Sequence, residues 1–184
     1  MLSRLPIYHL AGPLFLWTYL VQVNWILPLE QFITGDQARI ASYLFLPAGI
    51  KVVTFYVSRW KSLPSLFVAN LVGFLTFYAP PEASLWLLLF LSAAATFALP
   101  IMYAVAYHGL GLDFFERRRG GPHWFALLTL VGLASLINGL GMNYAWSNVP
   151  DPALMLHFAL GDIAGAAVLM LAAMFVMRHF RLRA

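Results

Sequence analysis

Six apolar segments follow one another along the chain, from Ile7 to Pro28, Ile40 to Tyr56, Leu63 to Tyr78, Ser84 to Tyr107, Trp124 to Tyr144 and Ala153 to Met177. Such a succession leaves few folds open. In lipid every backbone N–H and C=O must be paired within the protein, which for separate segments of this kind means helices. About 20 apolar residues cross a hydrocarbon core of about 30 Å, and the two shortest segments reach that span only with help from their flanks. The composition agrees, because 62% of the 184 residues are hydrophobic and 10% charged, against about 25% charged in soluble domains. The expected fold is all-α: one domain over residues 1–184, a polytopic bundle of six transmembrane helices solvated by membrane lipids.

The breaks fall where turn chemistry or charge places them, at Thr34-Gly35-Asp36, Arg59 to Pro64, Pro80-Pro81-Glu82, Gly109 to Pro122 and Asn148 to Pro152. Charge then orients the segments. With the N-terminus inside, Arg4, Arg59, Lys61, Arg117, Arg118, Arg119, Arg178, Arg181 and Arg183 all fall on the cytoplasmic side and only Arg39 outside. Both termini are therefore expected in the cytoplasm, and Glu30, Asp36, Glu82 and Asp151 in the outer connections. Trp25, Tyr78, Trp86 and Trp146 near outer boundaries, with Trp60 and Trp124 near inner ones, match an interfacial aromatic belt. No cleavage site follows the first segment, which is expected to remain as a helix. The net charge of +4 sits at segment ends rather than along a polar stripe, so no nucleic-acid partner is expected.

Two charges escape this arrangement, Lys51 in the second segment and Asp162 in the last. Each costs at least about 2.5–3.5 kcal/mol near a bilayer centre, and such residues usually face the bundle interior and find a partner. Both lie roughly ten residues below the outer start of their helix, about 15 Å deep at helical rise. They are expected to pair across helices or to bound one ligand cavity. The first alternative makes them an architectural salt bridge, the second a binding site. Asn138, Asn143, His157, Gln22 and Asn24 occupy the outer half of their spans and are expected to line a cavity open to the outside, with Asn70 deeper. Each has a plainer reading as a hydrogen bond to a neighbouring helix. Gly161 and Gly165 flank Asp162 as a small-xxx-small pair suited to close helix contact, and Pro47 with Gly49 are expected to loosen the second helix before Lys51.

Catalytic templates are missing from the chain: it has no H-E-x-x-H, no G-x-S-x-G and no phosphate-binding loop. Ser135 and His157 on successive helices differ in depth by about 7 Å at helical rise, too far for a serine hydrolase pair. With no cysteine there is no thiolate site or disulfide, and the histidines are too scattered to ligate haem in pairs. No enzyme activity, metal or cofactor is expected.

The stretch Leu46-Pro47-Ala48-Gly49-Ile50, then Pro64, then Phe67-Val68-Ala69-Asn70-Leu71-Val72-Gly73, resembles the MASE1 family of bacterial integral membrane sensor domains. Gly161-Asp162-Ile163-Ala164-Gly165 is similar to the glycine-aspartate-x-x-glycine that closes that pattern. The resemblance covers about a third of the chain and implies a membrane-embedded sensory module, similar by wider analogy to the substrate-binding subunits of energy-coupling-factor transporters. Asn70 and Asp162 are the motif positions it carries over. The functional expectation is a sensor or uptake module in a bacterial cytoplasmic membrane. It would bind a small ligand through Lys51, Asn70, Asn138, His157 and Asp162 and work with a partner protein. The competing expectation is a structural or assembly subunit of a larger membrane complex, with partner helices packed on Gly132 and Gly139.

Overall fold

The computed structural model describes residues 7–35, 42–78, 83–111, 124–147 and 151–181. The described residues form five helical stretches and no strand. The first, α1 (Tyr8–Thr34), holds a π-turn at Gln22–Ile26. The second is broken at Arg59 into two arms, α2 (Leu46–Ser58) and α3 (Leu63–Gly73), the latter continuing into a π-turn at Phe74–Tyr78. Then come α4 (Leu85–Leu110), α5 (Trp124–Ser147) and α6 (Pro152–Arg181). Four helices, α1, α4, α5 and α6, are long and apolar enough to cross a membrane, as in an integral membrane protein.

That corrects the expectation of six full-length spans. The arm α2 has 13 residues, and α3 has 11 plus 5 in its π-turn. At about 1.5 Å per residue they measure roughly 20 and 24 Å, short of a 30 Å core. Prolines explain the shortfall, since a proline in the first turn starts a helix and cannot continue one from behind. Pro47 and Pro64 each stand in the first turn of an arm. Pro47 thus begins α2 instead of loosening it, and the apolar residues Tyr43, Leu44 and Phe45 stay non-helical. Arg59 closes α2 with φ 52°, the one non-glycine residue at positive φ among the described residues. Its Nη1 donates to Tyr103 Oη at 2.9 Å, and its guanidinium lies 5.4 Å from that ring.

The helices close a ring. α1 packs between the two arms, α2 continues to α6, α6 to α5, α5 to α4, and α4 returns to α3. The second and last apolar segments are therefore neighbours, a relation that no pattern in the sequence expresses.

The non-helical strip before α2 lies on α6, and its backbone donors find partners outside any helix. Phe45 N donates to Gly161 O at 3.0 Å, and Leu46 N to Gln22 Oε1 at 3.1 Å. Tyr43 N and Leu44 N donate to the two oxygens of Glu30 at 3.1 and 3.0 Å. Ser42 Oγ also donates to Glu30 and accepts from Gln22 Nε2. Glu30 is expected in an outer connection. Instead it lies half-buried in the last turns of α1 and holds the non-helical strip, while Gln22 takes the first N–H of α2. Phe45, at the cap position of α2, has no side-chain acceptor to offer, so that acceptor comes from another helix. Glu30→Ala should lower stability by about 1–2 kcal/mol, because the partly buried donors of Ser42 and Leu44 lose their acceptor. Glu30→Gln, which keeps one acceptor oxygen, should lose clearly less. Thermal unfolding in detergent reads both, and a wild-type melting curve for Glu30→Ala would end its role in holding the strip.

Candidate functional site

Lys51 on α2 and Asp162 on α6 face a common interior. Both line a cavity of about 30 Å³ that also meets Ser135 and Asn138, and both line a second of about 30 Å³ that meets Ser42, Asn70 and Asn138. A buried water needs about 10–15 Å³ of such space and two to four polar partners, so each cavity has room for about two.

The ammonium and carboxylate attract each other through space without closing a direct ion pair. Lys51 Nζ donates to Ala95 O on α4 at 3.2 Å and stands 5.6 Å from the Phe15 ring centre. Pro100 lies one turn further along α4. A proline inside a helix removes the hydrogen bond to the carbonyl four residues back, here Thr96, the residue next to the Ala95 carbonyl that Lys51 uses. Asp162 is 7% exposed and has the Ser135 hydroxyl beside it. That hydroxyl makes no well-formed hydrogen bond despite its burial. Asn138 makes none among the described residues, so the site offers unfilled donors on Lys51 and Asn138 and unfilled acceptors on Asp162, Asn138 and Ser135. Lone ions at this depth are costly, and a ligand or water satisfying both would relieve that cost.

Close packing holds the carboxylate in place. A Cβ on Gly161 would run into the Ser42 carbonyl and one on Gly165 into the Phe45 carbonyl, while a Cβ on Gly49 would lie 2.5 Å from Gly165 O. Only glycine at 161 and 165 lets the non-helical strip lie on α6 on either side of Asp162.

The other residues singled out from the sequence divide. Asn70 lines the second cavity and donates to Leu66 O and to Thr96 Oγ1 at 3.1 Å. His157 belongs to neither cavity; it packs edge-on against Tyr43 with ring centres 5.0 Å apart, a contact that holds the non-helical strip. Ser135 and His157 are thus kept apart. Asn24 is exposed, donates to Leu20 O of its own helix and lines neither of these two cavities. Asn143 is fully buried and donates to Asp151 O, joining α5 to the start of α6. Gln22 serves the cap of α2. Arg39, Asp36, Glu82 and the run Arg117 to Arg119 lie outside the described residues. Among the described residues no three His, Asp or Glu side chains cluster as metal ligands would.

Sequence reasoning missed two contributors. Ser135 carries no sequence signal beyond its pairing with His157, and Glu30 at the end of an apolar segment looks like any charge of an outer connection. No protein-family model matches the chain, and neither a curated protein nor a solved structure matches it.

Proposed function

We propose that this protein is a membrane-embedded module that binds a small polar ligand at Lys51, Asn138 and Asp162 and reports it, or hands it on, to a partner protein. The supporting observation is the pair of opposite charges deep among apolar helices, sharing two small polar cavities without bonding each other directly. An architectural salt bridge has no use for that separation, since its Coulomb gain comes from contact. The motif positions Asn70 and Asp162 line the same cavity, which supports a sensory module of the MASE1-like kind. A structural subunit is less favoured, because Gly132 and Gly139 already face Ile163, Met155 and Phe158 of α6 in the same chain. Native mass spectrometry of gently extracted protein tests the choice. A small molecule retained by the wild type and lost from Asp162→Asn supports binding. A retained protein subunit with no small molecule supports assembly.

The proposed setting is a bacterial cytoplasmic membrane with both termini inside. The two arms go in and come back, so they leave the side of the termini unchanged. Arg59, Lys61 and Arg178 mark one end of the bundle and Glu30 and Asp151 the other, in line with the inside preference of basic residues. Because the chain has no cysteine, single thiols report cleanly. Ser62 is buried and a poor reporter, whereas Lys61 and Asp151 are exposed. In intact cells an impermeant maleimide should label Asp151→Cys and spare Lys61→Cys until the membrane is opened. The reverse pattern would invert the orientation.

A further inference from the structure

We propose that the Lys51–Asp162 site is the floor of a half-channel that admits water and water-sized ions from the Glu30 end of the bundle and is sealed toward the Arg59 end. This rests on the binding-site reading above and adds its direction of access and its size limit.

On α4 and α5 the buried polar side chains lie at the level of the site or toward the Glu30 end of the bundle. On α5, buried Ser135, lining Asn138 and buried Asn143 lie toward the Glu30 end, and buried Leu127, Leu130, Val131 and Ala134 toward the other. On α4, buried Ser92 and Thr96 give way to Leu99, Tyr103 and Ala106. On α6, Asp162 is followed by buried Ala166 and Met170, and on α2 Lys51 is followed by Val52, Thr54 and Phe55, with the Thr54 hydroxyl turned to the Ile50 and Lys51 carbonyls of its own helix. Those apolar residues form one contiguous cluster. Toward the Glu30 end the polar groups form a path instead. Glu30 is half-buried and accepts from Ser42 Oγ, Ser42 lines the second cavity, and that cavity shares Lys51, Ala95, Asn138 and Asp162 with the first. The first cavity ends on Ser135, whose buried hydroxyl lies beside Asp162 without a well-formed hydrogen bond. Lys51, Ser135, Asn138 and Asp162 give water partners there, whereas Val52, Leu99, Val131 and Ala134 form the apolar side of the cavity, and the cluster they belong to offers water no hydrogen bonds. Both chambers are water-sized, so in this arrangement bulky molecules are excluded from the charges.

Single cysteines in this cysteine-free chain test the half-channel with silver ion, a membrane-impermeant thiol reagent not much larger than water. The variants are Ser135→Cys at the floor, Met142→Cys on the wall of the second cavity, and Ala166→Cys in the apolar seal, where the residue is fully buried and lines neither cavity. Protein in vesicles of known orientation is exposed on one face, quenched, unfolded in detergent and titrated with maleimide, which counts the thiols that silver has not taken. Melting temperatures confirm that each variant is folded, and Met142→Cys carries the test if Ser135→Cys is not. The expected result is loss of maleimide labelling at positions 135 and 142 after silver on the Glu30 face, retention after silver on the Arg59 face, and retention at 166 from either face. Reaction at 135 or 142 from both faces, from the Arg59 face alone, or from neither would overturn the proposal. One-sided reaction in a protein that retains no ligand would keep the half-channel and sink the ligand reading, so the two fail separately.

Discussion

Gly165→Ala and Gly161→Ala should each abolish the native fold or come close to it. Overpacking a core typically costs about 1–3 kcal/mol when side chains can give way. Here the added methyl meets carbonyls of the non-helical strip at Ser42 and Phe45, which are held by hydrogen bonds and cannot yield as a flexible side chain does. The expected loss is therefore at the upper end, about 3 kcal/mol or more. Gly139→Ala supplies the control. Its Cβ would lie at ordinary contact distance, 3.6 Å from Met155 and Phe158. Replacing glycine by alanine inside a helix should gain it up to about 1 kcal/mol. Thermal unfolding of the three variants in one detergent compares them directly. Similar melting temperatures for Gly165→Ala and Gly139→Ala would show that the strip does not lie on α6 as described.

Removing one buried charge should do comparable damage for a different reason. Lys51→Met leaves the Asp162 carboxylate alone, and Asp162→Asn leaves the ammonium alone. Breaking a contacting buried pair in this way typically costs about 3–5 kcal/mol, and the lower end is expected here because the two charges are held apart. Lys51→Met combined with Asp162→Leu replaces both charges by apolar groups and should recover most of that stability. Under the proposed function the double variant folds but no longer retains the small molecule seen by native mass spectrometry. A double variant that is stable and still carries the ligand would reduce the two charges to architecture.

What the sequence conveyed, and what it withheld, follows from the physics of each signal. The long helices were legible because hydropathy measures the cost of placing residues in lipid: the segments from Ser84, Trp124 and Ala153 begin within a residue of α4, α5 and α6. Hydropathy carries no information on backbone shape, so Tyr43, Leu44 and Phe45 were read as part of a second helix. Lys51 and Asp162 stood out because a charge inside an apolar run is expensive wherever it points. Their shared cavity depends on the order of helices around the ring, and that order is written in side-chain shape, such as the paired glycines on α6. Glu30 was hidden because a carboxylate at the end of a span and a carboxylate capping another chain segment look alike in one dimension.

The joint between the strip at 42–45 and α6 also bears on how the protein is made. During synthesis α1 and α2 emerge long before α6, yet the surface on which the strip rests belongs to α6. Until that helix arrives, Phe45 N has no Gly161 carbonyl to meet, and the two arms are each too short to settle in lipid unaided. The nascent chain must therefore hold an unfinished hairpin for most of its translation, and the ring closes in a late step. In a cell this places the point of greatest vulnerability before the last helix. Chains stalled or truncated ahead of α6 are the ones that quality-control proteases should clear first.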